Sequence, residues 1–285
     1  MRWQMGRRSD NVEDRRGVGM GGVAIGGGLG TVVILVLALF FGVDPSVLLQ
    51  GNDPSLSTEP PAGVQHAGPP EEERLKDFVS VVLADTEDTW KEIFRGMNRE
   101  YREPQLVLFS GAVRSACGAA QSAVGPFYCP ADQKVYLDLV FFRELRDRFR
   151  APGEFAQAYV IAHEIGHHVQ QLLGISDKIR SMQSRGGERQ GNALSVRLEL
   201  QADCFAGVWA NNANRSRQIL EQGDIEAGLN AAAAIGDDRL QGQSRGYVVP
   251  DAFTHGSSAQ RVRWFTRGLE GGAVRQCDTF GARDI

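Results

Sequence analysis

A chain of 285 residues has room for one domain of about 200 residues with appendages, enough to enclose a single large core. With 31 basic and 35 acidic residues it carries a net charge of −4, which gives no electrostatic footprint for a polyanion and excludes nucleic acid as an expected partner. The rest of the composition is that of an ordinary soluble globular protein, so the departures from it are local.

The first of these is at the N-terminus. Residues 1–16 are basic, with Arg2, Arg7, Arg8, Arg15 and Arg16, and residues 17–43 then contain no charged side chain. Residues 31–43 are its most apolar window, with V-V-I-L-V-L-A-L-F-F at the centre, and the many glycines of the stretch are tolerated in membrane helices. About 20 apolar residues suffice to cross a bilayer. The sequence therefore predicts one transmembrane helix over residues 17–43. The positive-inside rule makes residues 1–16 a cytoplasmic tail and places the rest of the chain outside the cytoplasm, in a single-pass protein of the cell (inner) membrane. A cleaved signal peptide is the alternative, but the segment is long for one and no A-x-A site follows it. Residues 44–71, rich in Pro, Gly, Ser and Thr, read as a flexible linker.

From residue 72 to 99 apolar side chains recur at three- and four-residue steps through Leu75, Phe78, Val82, Trp90 and Phe94, which predicts an amphipathic helix. Residues 106–109 are a strand candidate, 111–125 a Gly/Ala/Ser-rich loop, 134–139 a second strand and 141–150 a short charged helix. The strand at 134–139 is a candidate for pairing with an extended peptide main chain. The cysteines Cys117, Cys129, Cys204 and Cys277 fit an oxidising compartment and allow three pairings. Cys117 and Cys129 bracket a short segment and are placed to close a local loop, which leaves Cys204 with Cys277. Four buried free thiols are the competing reading.

Residues 162–170 read A-H-E-I-G-H-H-V-Q. Pro152-Gly153 before and Gly174 after delimit a helix whose apolar stripe runs through Phe155, Tyr159, Ala162, Ile165, Val169 and Leu172. His163 and His167, one turn apart along the edge of that stripe, suit a tetrahedral Zn²⁺, and Glu164 between them can approach a water on the ion without binding it. This is the H-E-x-x-H pattern of zinc-dependent peptide hydrolysis. Residues 175–191 are polar and read as part helix, part loop. Asn192 then caps a helix carrying Leu194, Leu198, Ala202, Phe205 and Trp209, with Glu199 and Asp203 four apart on one edge. If the two helices pack along their stripes, Glu199 reaches the ion as third ligand and Asp203 accepts the free N–H of a ligand His. Glu188, Glu221 and Glu226 are rivals without that placement.

H-E-I-G-H-H at 163–168, R-L-E-L-Q-A-D-C-F-A-G at 197–207 and F-T-H-G-S-S-A-Q-R at 253–261 together resemble the bacterial neutral zinc metallopeptidases, single-pass membrane proteins related to the gluzincins. The resemblance extends from the basic N-terminus to about residue 280. It implies Glu199 as the third ligand and an α+β fold: a predominantly helical, zincin-like metallopeptidase domain over residues 72–285 with a small sheet. Residues 224–235 read as a scaffold helix. His255, ahead of a Ser-capped helix start, is placed to donate to the oxyanion of a peptide carbonyl under attack. The rival reading is a structural His tying the turn, with Arg261 orienting it or simply salt-bridged.

The expected activity is that of a membrane-anchored metalloendopeptidase with one Zn²⁺ per chain, bound by His163, His167 and Glu199, with Glu164 as general base. Its partners would be a peptide or protein substrate and a lipid bilayer. A catalytically silent zinc-fold envelope adaptor or chaperone and a zinc amidase acting on cell-wall peptides are the alternatives. Substrate preference and oligomeric state are not legible.

Overall fold

In a computed structural model of the chain, which describes residues 1–17, 69–121 and 125–285, the first long helix is α1, Pro70–Gly96. Pro70 supplies a φ already suited to the first turn, and Glu71, Glu72 and Glu73 lie at the positive end of the helix dipole. These features start the helix at Pro70, two residues before the expected start at residue 72. Asn98, with φ 55°, ends it. The apolar face of α1 buries Phe78, Val82, Trp90 and Phe94.

A four-stranded sheet runs in the order β1 (Val12–Asp14), β2 (Gln105–Phe109), β6 (Lys134–Asp138), β5 (Phe127–Cys129). The first three strands are parallel, and β5 is antiparallel to β6. The nearly unbroken apolar runs of β2 and β6 suit interior strands. This corrects the assignment of the 134–139 strand as a substrate-pairing strand, because β6 is hydrogen-bonded on both sides. Among the described residues the edge strands of this sheet are β1 and β5. The expected loop at 111–125 contains a hairpin, β3 (Ala112–Ser115) with β4 (Gly118–Gln121), whose small residues give no alternating pattern.

Residues 1–16 are not a separate tail. They belong to the same compact unit as residues 68–285, with β1 hydrogen-bonded to β2 and Trp3 buried. Several of their charges have partners far along the chain, as in Arg8 with Asp77 and Arg7 with Glu87. The expected transmembrane segment and nearly all of the linker lie outside the described residues. Among the described residues no helix is long and apolar enough to cross a membrane.

The helical layer comprises α2 (Val140–Asp147), α3 (Glu154–Leu172), α4 (Ile175–Gln183), α5 (Glu188–Arg217), α6 (Asp224–Ala234), α7 (Asp237–Arg245) and α8 (Ser258–Gly271). Gly187, not Asn192, precedes α5, and the Asn192 side chain instead donates to the Asp251 carbonyl. Helix α3 packs on α5, and α8 lies along α5 and against α6. Phe155, Tyr159, Phe205, Trp209, Trp264 and Phe265 form the core between them. The start of α8 is set by Ser257, whose hydroxyl accepts from Gln260 N while the Gln260 side chain accepts from Ser257 N. The disulfides are Cys117–Cys129, joining the hairpin to β5, and Cys204–Cys277, joining α5 to the C-terminal turn.

The approach of α3 to α5 depends on Gly166, between the two motif histidines. A Cβ there would stand 2.9 Å from the Ala202 carbonyl oxygen and 3.0 Å from its Cα, so the backbones must separate to admit it. Gly166→Ala is therefore expected to destabilise the protein by about 1–3 kcal/mol. It should also weaken metal binding, because it pushes Glu199 away from the histidines. Denaturant unfolding and zinc titration of the variant measure the two effects.

Candidate metal centre

Helix α3 presents His163 and His167 on one face because they are four residues apart, and α5 brings Glu199 to them from across the packing seam. Glu199 Oε2 lies 3.2 Å from His163 Nε2, and its Oε1 lies 3.4 Å from His167 Nε2. A tetrahedral ion with bonds of about 2.0–2.1 Å holds neighbouring ligand atoms about 3.3 Å apart, so the spacing fits Zn²⁺. Among the described residues these three are the group whose ligand atoms converge, all within 4.8 Å. Three protein ligands leave a fourth position open, the form of a catalytic rather than a structural site.

Each histidine is oriented from behind. His163 Nδ1–H donates to Asp203 Oδ1 at 2.8 Å, which turns Nε2 toward Glu199. His167 Nδ1–H donates to Gln170 Oε1 at 2.9 Å, and Gln170 Nε2 donates to the Leu198 carbonyl at 2.7 Å. Gln170 was not singled out from sequence, although it stands three residues after His167 on the same helical face. The Asp203 carboxylate is fully buried and also accepts from Tyr159 Oη at 2.5 Å and from Arg261 Nε and Nη2 at 2.9 Å. Arg261 is thus the ion-pair partner of Asp203 and does not orient His255.

The charges follow from this geometry. Burial alone would lower the pKa of His163, but Asp203 and Glu199 outweigh it and raise it to about 10 in the metal-free protein. Burial likewise opposes ionisation of Asp203, yet Arg261 and His163 hold its pKa near 2. Glu199 is held well below the usual carboxylate range by the two histidines, against the effect of burial. The third motif histidine, His168, points away from the ligands. Its Nε2–H donates to the Arg102 carbonyl at 2.7 Å and its Nδ1 accepts from Tyr128 Oη at 3.1 Å, while burial lowers its pKa to about 4.

The ligands open into a cleft of about 660 Å³ whose walls include Glu164, His255, Tyr128, Phe127, Phe141 and Phe149. Glu164 is 8% exposed and lies beside the ligand set. His255 Nδ1 lies 3.2 Å from Asp237 Oδ1, and this hydrogen bond raises the imidazole pKa above its ordinary value. Asp237 Oδ2 also accepts from the main-chain N–H groups of Thr254, His255 and Gly256 and so fixes the turn that carries His255. Asp237 went unnoticed in the sequence because α7, D-D-R-L-Q-G-Q-S-R, has no apolar stripe. The β5 edge packs beside α3, with Tyr128 bonded to His168 across the gap.

A family model described as "Putative neutral zinc metallopeptidase" matches residues 1–280. The Escherichia coli (strain K12) protein named "Uncharacterized protein YpfJ" is 51% identical over 290 residues, covering 99% of both chains. The Mycobacterium bovis protein named "Uncharacterized protein Mb2605" is 46% identical over 206 residues, 69% of this chain and 67% of the relative. No solved structure matches.

Proposed function

The chain belongs to the neutral zinc metallopeptidase family, and from that premise we propose that it is an endopeptidase that hydrolyses peptide bonds at the His163, His167 and Glu199 centre. The observation that carries the proposal is a carboxylate outside the three-ligand set, Glu164, lining the same cleft as His163, His167 and Glu199. A purely structural zinc site is usually closed by four protein ligands and needs no general base. A Zn²⁺ held by His163, His167 and Glu199 would supply Lewis acidity toward the scissile carbonyl and a lowered pKa for water.

The chain's own residues supply the remaining steps. Glu164 takes the proton from the attacking water and delivers it to the leaving amine. Protonated His255, held by Asp237, donates to the carbonyl oxygen as negative charge develops on it. Asp203 and Gln170 keep the ligand imidazoles in the tautomer that turns Nε2 toward the ion. The free edge of β5 offers main-chain hydrogen bonds to an extended peptide lying along the cleft, beside Phe127 and Phe141. The two disulfides support an oxidising, extracytoplasmic compartment, and the apolar residues 31–43 support attachment to the cell membrane.

Zinc-loaded full-length protein incubated with a mixture of unfolded peptides should generate new amino and carboxyl termini detectable by mass spectrometry. A chelator should abolish them. Persistence of cleavage in a metal-free preparation would contradict the proposal.

The role of His255 predicts a pH effect of known sign. Asp237 raises the imidazole pKa, so His255 stays protonated to higher pH, and activity should fall as pH rises through that value. Asp237→Asn removes the charge and should move the alkaline limb of kcat/KM to lower pH. An unchanged limb would remove His255 from the mechanism.

A further inference from the structure

Glu87 lies deep in α1 with its side chain fully buried, and its carboxylate is held by residues from the start of the chain. Arg7 donates to it at 2.8 Å, Ser9 Oγ at 2.5 Å and Asn11 Nδ2 at 2.9 Å. Trp3 is 5% exposed and meets Phe78 edge-on, with ring centroids 5.3 Å apart. Strand β1 continues this attachment, in register with β2 from Val12 opposite Leu106 to Asp14 opposite Leu108. At the end of the segment Arg16 reaches Glu73 at 2.8 Å and Glu72 at 3.6 Å, while Lys76 reaches Asp14 at 2.9 Å. The place where the chain leaves the domain, Gly17, and the place where it returns, at the first turns of α1, are therefore tied to each other by ion pairs.

We infer that residues 1–17 and 69–285 lie on the same side of the membrane. Any bilayer contact made by the apolar residues 31–43 then comes from a segment whose two ends both belong to the domain on that side. A single crossing between Gly17 and α1 would pull β1 off the sheet and empty the pocket of Trp3. It would also strip the buried Glu87 carboxylate of Arg7, Ser9 and Asn11, and an uncompensated buried charge is strongly destabilising. Four of the five N-terminal arginines clamp the segment to the rest of the domain, Arg2 through Glu221, Arg7 through Glu87 and Asp88, Arg8 through Asp77 and Arg16 through Glu72 and Glu73, whereas Arg15 pairs with Glu13 inside the segment.

The test uses the full chain in bacterial spheroplasts and two single-cysteine variants. Met5→Cys lies in the N-terminal segment, where Met5 is 99% exposed, and Tyr247→Cys lies in the domain, where Tyr247 is 62% exposed. The natural cysteines are all in disulfides, so the introduced thiol is the reactive one. Each variant is treated with a membrane-impermeant maleimide before and after detergent lysis. Labelling of both sites, or of neither, in intact spheroplasts supports a shared side. Labelling of one site in intact spheroplasts and of the other only after lysis overturns it.

Discussion

Glu164→Gln is expected to bind zinc as the parent does and to lose peptide cleavage by about 10²–10⁴-fold, the usual contribution of a positioned general acid–base. The substitution keeps the size and hydrogen-bonding capacity of the side chain in a site where Glu164 is only 8% exposed, so the fold has no reason to change. It removes the one property the mechanism needs, a carboxylate base in the cleft that the three candidate ligands line. Because Glu164 is not among the proposed ligands His163, His167 and Glu199, metal content and unfolding midpoint should match the parent. Metal analysis and kcat/KM on the same preparation check both halves. A variant that cleaves at the parent rate removes Glu164 from the mechanism, and one that loses its zinc makes Glu164 a ligand.

The second large effect concerns stability. Arg261 is 2% exposed and Asp203 is fully buried, with two hydrogen bonds of 2.9 Å between them. Arg261→Met fills much of the same volume but leaves the Asp203 carboxylate without its cation. Breaking a buried pair in this way costs about 3–5 kcal/mol. The variant should unfold at correspondingly lower denaturant concentration. Arg261→Met/Asp203→Asn should recover part of the loss, since an amide is cheaper to bury than an unpaired charge. A change below about 1 kcal/mol in the single variant would mean that Tyr159 and His163 alone satisfy Asp203, contrary to the expected cost of an unpaired buried charge.

What could be read before the structure was whatever leaves a local periodic trace. His163 and His167 are one helical turn apart, and so are Glu199 and Asp203; both pairs border apolar stripes, and packing those stripes together brings the ligands together. The same reasoning found α1, β2, β6 and the Ser257 cap. Elements whose position depends on distant partners left no such trace. Strand β5 has three residues and the helix carrying Asp237 has no apolar stripe, so neither has a period to detect. Arg7 and Arg8 look like a flank of the apolar segment because nothing near them in sequence announces Glu87 or Asp77. Interior placement of β6 is likewise a property of the whole sheet. An apolar strand reads the same at an edge and in the middle, which is why the sequence alone does not show that β6 is hydrogen-bonded on both sides.

Zinc titration of the metal-free full chain, with peptide cleavage followed at each addition, tests the central claim most directly. The account predicts that cleavage is absent without metal, rises in proportion to bound zinc and saturates at one ion per chain, the capacity of the His163, His167 and Glu199 set. One tightly bound zinc with no cleavage of any peptide in a diverse unfolded mixture would contradict it and leave a zinc-binding fold without the proposed hydrolysis.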